Sequence, residues 1–235
     1  MAVYGRTRNP GPVDPSGNSG YALLVIADGA AGFWPLDDTG AGFAADLTGG
    51  GHTGTVTAGS LATSGGPGNR GFTSFTGTGY VTIPHWSALS TTTGPFTAEA
   101  WFRTASAPAA APNSCAIMYC PSDIWGMEIR ATRAINAYFR YGVSSYSDYT
   151  SVNNVWSLNQ WNHIVYVKYG ASGAGDVYLN GALMGSLPSS GAVVSASSGL
   201  LLGAATTTTR RFSGDLALAA WYPVALTASQ VASHY

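Results

Sequence analysis

Charged side chains are scarce in this chain: only 9% of the residues are charged, and the formal net charge is -1. Lys168 is the only lysine, and the remaining basic residues are all arginine. A domain that binds nucleic acid needs a basic stripe to neutralise phosphates, and this composition offers none. The charge balance therefore argues against nucleic acid as a partner.

Cysteine is also rare, and Cys115 and Cys120 are the two cysteines of the chain. If the stretch between them is an extended strand, their Cα atoms lie on the order of 16 Å apart, which is beyond disulfide reach. Free thiols are therefore the favoured interpretation, although a turn between the two would still allow a bridge. No CxxC spacing indicates a redox or zinc site.

The N-terminal residues lack the apolar segment of a signal peptide, and the later apolar run Tyr21–Ala27 is too short to span a bilayer. We therefore expect a protein that is made without a standard secretory signal and is not inserted in a membrane. Residues Met1–Gly20 are rich in Pro and Gly and poor in large apolar side chains. They are predicted to form an extended arm that docks on a partner.

Glycine and aromatic residues are abundant, with 31 Gly and 12% aromatics. This mixture suits short strands joined by tight turns better than it suits long helices. Segments that alternate apolar and small polar residues recur along the chain, with turn signals about every ten residues. The clearest lie at 71–84, 95–104, 125–132, 134–142, 161–170 and 175–188. The pattern predicts an all-β fold of half-buried antiparallel strands.

Local signals predict three further features. Asn180-Gly181 is the residue pair of a two-residue type I′ hairpin turn. Thr227 is a suitable N-cap for a short C-terminal helix, and Gln230 three residues later completes a capping box. The apolar run that begins at Tyr21 predicts a short helix before the first strand.

A series of motifs runs through the chain in a fixed order. They are Ala27-Asp28-Gly29, Gly32–Leu36, Ala45-Asp46, Gly79–Pro84, Pro95–Phe102, Trp161–His163, Val177–Gly181, Phe212–Leu216 and Tyr222–Thr227. In order and spacing this series resembles the laminin-G-like and concanavalin-A-like lectin family, including its phage structural proteins. The resemblance covers residues 21–235. It implies a two-sheet antiparallel jelly-roll sandwich with a short C-terminal helix, preceded by the extended arm at residues 1–20.

The resemblance also raises the question of a cation. Many members of the family hold Ca²⁺ at the rim with the Asp that precedes the glycine turn, and Asp46 occupies that place. The family's second acid corresponds to Ala217 here, which removes an expected oxygen ligand. No cofactor is therefore expected. Asp46 is interpreted as accepting hydrogen bonds from the Gly49–Gly51 amides in an Asx-type turn, with Ca²⁺ as the alternative.

Catalytic residues do not emerge from the sequence. Glu99 and Glu128 lie on alternating strands and could face one sheet surface as glycosidase carboxylates do, but nothing in the sequence pairs them. His163 is interpreted as a hydrogen-bonded structural histidine. The chain is therefore predicted not to be an enzyme.

Aromatic residues crowd the segment 138–156, which is interpreted as a Tyr- and Asp-containing loop. The predicted ligand-binding residues are Tyr138, Arg140, Tyr141, Tyr146, Asp148, Tyr149 and Trp156. Flat rings stack on sugars, and polar side chains satisfy sugar hydroxyls. The same residues suit a protein interface, and packing in the core is the alternative for each single ring.

From these features the sequence predicts a non-enzymatic phage virion protein, either a head-decoration or a minor tail protein, exposed on the particle. Its expected partners are other virion proteins through the arm, further copies of itself, and a host-surface glycan. The alternative is a free carbohydrate-binding lectin or an accessory binding module of a glycan-degrading system. A fold of this kind carries several functions, so the choice depends on the site.

Overall fold

The fold is that of a computed structural model in which residues 20–38, 42–90, 94–109, 114–122, 124–142, 145–171, 173–189, 191 and 197–235 are described. The predicted arm Met1–Gly20 lies outside these residues, apart from Gly20, at which the first helix begins.

Two α-helices and fourteen β-strands form within the described residues. The helices are α1 (Gly20–Ala27) and α2 (Ala228–His234). The strands are β1 (Gly32–Trp34), β2 (Phe43–Ala44), β3 (Gly54–Ala62), β4 (Phe72–Ile83), β5 (Phe96–Arg103), β6 (Ser114–Cys120), β7 (Trp125–Arg130), β8 (Ile135–Arg140), β9 (Tyr146–Thr150), β10 (Asn162–Lys168), β11 (Gly175–Leu179), β12 (Ala182–Leu187), β13 (Leu200–Leu202) and β14 (Ser213–Tyr222). Over the described part of the chain, no helix has the length and apolar content needed to cross a membrane.

Antiparallel pairing joins eleven of the strands in the order β12-β11-β10-β5-β14-β4-β13-β6-β7-β8-β9. Off this path, β1 pairs with β14, and β3 pairs with β2 and β4. The path bends back on itself, so that its two halves enclose one interior. Phe96 of β5 thus contacts Trp125 of β7, with ring centroids 5.0 Å apart. We call β12, β11, β10, β5 and β14 the first layer and β6 to β9 the second layer. The predicted two-layer antiparallel sandwich is confirmed.

Successive side chains of a β-strand point to opposite faces of the sheet, so alternate residues of each strand in the second layer face the interior. In β7, Trp125, Met127 and Ile129 belong to the interior core. Glu128 and Arg130 alternate with them and therefore lie on the outer face. The second layer thus has an apolar inner face. Its outer face combines polar residues with a small apolar cluster that includes Tyr119 and Tyr138.

The outer face of the first layer is covered by a second apolar cluster. Helix α1 contributes Ala22 and Val25 to that cluster, and α2 contributes Val231. They pack against residues of the layer that include Val165 and Ala220. Strands β5 and β10 are consequently buried almost throughout. Strands β7 and β8 are also buried at five of their six positions, so the prediction of half-buried strands is wrong for all four.

The predicted turn and cap are confirmed. Asn180 and Gly181 have φ values of 51° and 76°, the left-handed conformation that a type I′ turn needs at both positions. The Thr227 side chain accepts a hydrogen bond from the Gln230 amide, and the Gln230 side chain accepts one from the Thr227 amide. This capping box begins α2.

Cys115 and Cys120 are free thiols, as expected. Burial raises the pKa of the Cys120 thiol to about 12. Burial together with the charge of Glu128 raises the pKa of Cys115 to about 11. Because the thiolate is the reactive form, both shifts disfavour reaction of these thiols near neutral pH.

Candidate functional site

An open cavity of about 350 Å³ lies on the outer face of the second layer. Its lining residues are Ser114, Glu128, Arg130, Asn136, Tyr138, Tyr146, Asp148 and Arg210. Seven of these eight lie on β6 to β9, and Arg210 precedes β14. The cavity therefore has a floor of regular sheet and one wall from a distant segment.

Strand register explains how these residues come together. Ser114 is the partner of Arg130, and Glu128 is the partner of Asn136. Tyr138 is the partner of Asp148. Residues directly opposite each other in an antiparallel pair project from the same face. The polar alternate positions of four strands therefore share one surface.

Arg210 and Glu128 form an ion pair that fixes one side of the cavity. The Arg210 Nη1 donates to Glu128 Oε1 at 2.7 Å. Burial alone would lower the pKa of Arg210, but the charge and hydrogen bond of Glu128 together with the nearby Tyr138 and Tyr119 outweigh it and raise the pKa. The backbone amide of Ala116 donates to the Arg210 carbonyl oxygen, which holds the segment against β6.

Two tyrosine rings form the aromatic part of the lining. Tyr138 and Tyr146 meet edge to face, with centroids 6.0 Å apart. Tyr138 is only 7% exposed, whereas Tyr146 is 42% exposed. Tyr146 is therefore the ring with surface available for stacking, and Tyr138 supports it from below.

Three of the seven predicted ligand residues line this cavity, namely Tyr138, Tyr146 and Asp148. Arg140 pairs with Tyr146 in the β8–β9 register and so shares the outer face, but it is not among the lining residues. The segment interpreted as a loop is in fact β9 over residues 146–150. Its alternation places Tyr146 and Asp148 outside and Tyr149 inside, so the seven residues do not form one site.

Tyr149 links the two layers. Its hydroxyl donates to the carbonyl oxygen of Met184 on β12 at 2.5 Å. A Cβ added at Gly185 would lie 2.2 Å from the Tyr149 ring, so the contact requires glycine there. Tyr149 is therefore engaged within the fold and is not among the lining residues of the cavity, and its role as a ligand residue stays a prediction.

Trp156 and Tyr141 also belong to the packing. Trp156 is 1% exposed, and its indole nitrogen donates to the Ala134 carbonyl oxygen at 3.3 Å. Tyr141 is partly buried against the same core, with its ring 6.5 Å from that of Phe139. Both were predicted as ligand residues. The burial of Trp156 fits the core alternative, whereas Tyr141 is only partly buried and its role as a ligand residue stays a prediction.

Sequence reasoning missed the other five lining residues as binding candidates. Ser114, Asn136 and Arg130 stand at alternate positions of apolar strands, and Arg210 lies in a polar run. Glu128 was considered only as an acid of a glycosidase pair. Charged residues at every second position of an otherwise apolar strand, as in β7, were the available signal.

Asp46 supports the turn that follows it, but with donors other than the predicted ones. Its carboxylate accepts hydrogen bonds from the backbone amides of Phe33, Thr48 and His52, at 3.0 to 3.1 Å. The Thr48 hydroxyl and the His52 ring add two more contacts. The amides of Gly49–Gly51 do not take this role. Burial alone would raise the pKa of Asp46, but the bonds from Thr48, His52 and Phe33 outweigh it and lower the pKa.

The Ca²⁺ alternative does not fit these contacts, because both oxygens of Asp46 are already engaged by protein donors. Among the residues that the structure describes, no three His, Cys, Asp or Glu side chains come together as a metal site.

Glu99 and Glu128 do not form a pair of acids. Glu128 lies on the outer face of the second layer, while Glu99 lies beneath the helices that cover the first. The Glu99 carboxylate accepts hydrogen bonds from His163 Nε2 at 3.1 Å and from His234 Nδ1 at 2.9 Å. The Tyr222 hydroxyl donates to it at 2.5 Å. The other nitrogen of His234 contacts Asp28 at 2.9 Å, so His234 bridges two carboxylates.

This buried network fixes the protonation of its members. Both nitrogens of His234 face carboxylate oxygens, so both donate and the ring is an imidazolium. Burial alone would lower the pKa of His234, but Glu99 and Asp28 outweigh it and raise the pKa. Burial alone would raise the pKa of Glu99, but His163 and His234 lower it to about 2. His163 is thus a hydrogen-bonded structural histidine, as predicted.

The network predicts that stability passes through a maximum at mildly acid pH. The contribution of Glu99 is present above its unfolded pKa of 4.5 and is lost as the pH falls towards 2. The contribution of His234 is complete below its unfolded pKa of 6.5 and is lost as the pH rises through its higher folded value. We expect Tm measured by circular dichroism to fall by a few degrees from about pH 6 to about pH 9.

The variant His234→Gln should lose most of that decline on the alkaline side. Asp28, Tyr21, Tyr222 and His163 also face the network, so a decline of equal size in the variant would assign the dependence to one of them instead.

A two-layer antiparallel jelly roll is an architecture that lectins share with other kinds of protein. The chain belongs to the concanavalin A-like lectin/glucanases superfamily, whose profile matches residues 75–232. A sequence comparison with curated proteins gives no match. The fold assigned from the motif series is therefore confirmed.

Solved structures with the same fold come from several kinds of protein. The binding domain of Paraclostridial Mosquitocidal Protein 1 superposes with a TM-score of 0.72 at 13% identity, over 88% of this chain and 52% of that one. Domain 4 of AbnA, a GH43 extracellular arabinanase from Geobacillus stearothermophilus, was solved in complex with arabinotriose. It superposes with a TM-score of 0.67 at 19% identity, over 88% of this chain and 98% of that one. Trypanosoma rangeli sialidase in complex with the inhibitor DANA superposes with a TM-score of 0.62 at 16% identity, over 86% of this chain and 32% of that one. The chain thus spans about half of the toxin domain, a third of the sialidase and nearly all of the arabinanase domain.

Proposed function

We propose that the protein is a non-catalytic glycan-binding module that holds its ligand in the cavity of the second layer. The observation that carries the proposal is the lining itself, where exposed Tyr146 stands beside Asp148 on a rigid sheet. A site built on strands holds its groups in place before binding, which lowers the entropic cost of association.

The lining has the chemistry that a sugar needs. The ring of Tyr146 offers an apolar face to the C–H groups of a pyranose or furanose. The exposed carboxylate of Asp148 accepts hydrogen bonds from sugar hydroxyls. Asn136 lies buried in the floor of the cavity, where its amide donates to the Tyr149 carbonyl oxygen and the Thr150 hydroxyl. Sites of this kind bind single ligands weakly and gain strength when several copies act together.

The related structures support a binding role. The arabinanase domain, which this chain matches over nearly its whole length, was solved with arabinotriose, and the toxin domain is named as a binding domain. Glu99 is buried and engaged within the fold, and Glu128 is paired with Arg210, so neither acid is placed as a general acid opposite the other.

The virion role remains a prediction from composition and from the arm at residues 1–20. A glycan-binding module of this type serves equally on a phage particle, as a free lectin or beside a glycan-degrading domain. A census of proteins in purified particles tests the first of these settings.

The binding proposal is tested with Tyr146→Ala. Binding of arabinotriose and of a panel of other oligosaccharides is measured by isothermal titration calorimetry with the full chain. We expect the variant to weaken binding of the best ligand by roughly fivefold in Kd, because one stacked ring contributes about 1 kcal/mol. Its thermal stability should stay close to that of the wild type, since the ring is 42% exposed.

Tyr169→Ala is the matched control, because Tyr169 is 49% exposed and is not part of the cavity. Unchanged affinity in Tyr146→Ala would overturn the proposal. So would release of reducing sugar that disappears in Glu128→Gln, since the protein would then be a hydrolase.

A further inference from the structure

We infer that the ligand of this cavity is an acidic glycan whose carboxylate binds Arg130. The inference rests on the proposed function and names the class of sugar. It is based on the Arg130 side chain, whose Nε is buried without a hydrogen-bond acceptor.

Five other arginine side chains in the described structure have protein partners. Arg70 pairs with Asp37, Arg103 with Asp215 and Arg210 with Glu128. Arg133 donates to Asn154, and Arg211 donates to the Thr78 carbonyl oxygen.

Arg130 differs from them. Its side chain has no hydrogen bond or ion pair to any residue that the structure describes, and its Nε is buried without an acceptor. Arg140 and Arg211 also have a buried Nε without an acceptor, but neither of them lines the cavity. A buried donor left unpaired costs free energy, and a ligand acceptor at this place would recover that cost.

A carboxylate is the group that fits Arg130 best. The guanidinium presents its donors as a planar fork, which matches the two oxygens of a carboxylate and gives short, charge-assisted hydrogen bonds. A neutral hydroxyl satisfies one donor and leaves the charge without a counterion.

The other charges of the cavity are compatible with this anion. Glu128 is only 2% exposed, and its charge is matched by Arg210. Asp148 is the remaining acid, and it lies two strands away from Arg130. Since Asp148 is level with Tyr138 and Tyr138 with Gly126, it is also offset from Arg130 by four residues along the strand.

These offsets separate the Cα atoms of Arg130 and Asp148 by roughly 16 Å, at about 4.8 Å per strand and about 3.3 Å per residue. The two groups therefore stand at opposite corners of the cavity. An oligosaccharide can place its carboxylate at Arg130 while a neutral sugar unit meets Tyr146 and Asp148. The cavity thus suits a ligand with one acidic and one neutral end.

The test compares acidic and neutral oligosaccharides by calorimetry on the full chain. Trigalacturonic acid and 3′-sialyllactose represent the two sources of a sugar carboxylate, and galactotriose and lactose are their uncharged counterparts. We expect at least one acid to bind about tenfold more tightly than its counterpart, and Arg130→Gln to abolish that difference. Raising NaCl from about 50 to about 500 mM should weaken binding of the acid but not of the neutral sugar.

Two further variants distinguish the effect of the bidentate guanidinium geometry from the effect of its charge. Arg130→Lys keeps the charge and should recover only part of the preference, because it loses the bidentate geometry. Arg133→Gln removes an equal charge three residues away, outside the cavity, and should leave the preference unchanged.

Equal affinity for acids and their neutral counterparts would overturn this inference and leave the glycan-binding proposal standing. A preference for acids that survives in Arg130→Gln would also overturn it. If no glycan binds the wild-type protein, both proposals fall together.

Discussion

Replacing Glu99 with alanine should lower the free energy of unfolding by about 3–5 kcal/mol, which makes it one of the most damaging single changes in the chain. The substitution removes the shared acceptor of His163, His234 and Tyr222, all within the buried region between the first layer and the two helices. The cost arises mainly from the charge and donors left without a partner. Urea denaturation followed by tryptophan fluorescence measures it.

Two variants make this result interpretable. Glu99→Gln keeps an acceptor oxygen and should fold more readily than the alanine variant while still losing the ionic contribution to stability. Asp176→Ala removes a carboxylate from the surface of the first layer, where it contacts only hydroxyl groups, and should cost about 1 kcal/mol or less. If Glu99→Ala were as mild as Asp176→Ala, the network would carry little of the stability.

Trp156→Ala is expected to lower the free energy of unfolding by a similar amount, about 3–5 kcal/mol, because it leaves a large cavity in the core. The indole is 1% exposed, and its ring meets that of Phe102 edge to face at 5.7 Å. Thermal and urea unfolding measure the loss. Affinity for a glycan, measured below the unfolding transition, should stay within about twofold of the wild type.

Tyr146→Ala is the reciprocal control, since it should weaken binding and leave stability almost unchanged. A Trp156→Ala protein with normal stability and lost binding would restore the tryptophan to the ligand site. The two variants together separate an aromatic residue of the core from one of the cavity.

Much of the fold could be predicted because its signals are local. The hairpin at Asn180-Gly181 and the cap at Thr227 depend on residues within three positions of each other, and the strand segments carry their own alternation. The burial of β5 on both faces could not be predicted in this way. It depends on helices α1 and α2, which come from opposite ends of the chain.

The site was predicted only in part. The reason is that the aromatic segment was interpreted as a loop. In a loop each side chain is free to face the ligand, whereas in β9 only Tyr146 and Asp148 do so, and Tyr149 points inward. The partnership of Glu128 with Arg210 spans 82 positions and leaves no local pattern. The contacts of Asp46 to Phe33 and His52 were missed for the same reason.

The link between β9 and β12 bears on what kind of ligand the protein can take. These strands end the hydrogen-bonded path, and the end strands of a sheet usually offer free backbone groups to a passing chain. Here they face each other, joined by the Tyr149 hydroxyl on Met184 and the Ser147 hydroxyl on the Pro188 carbonyl oxygen. An extended peptide that added as a further strand would have to separate them first. This seam therefore disfavours strand addition and edge-to-edge aggregation there, and it directs recognition to side chains on the sheet faces.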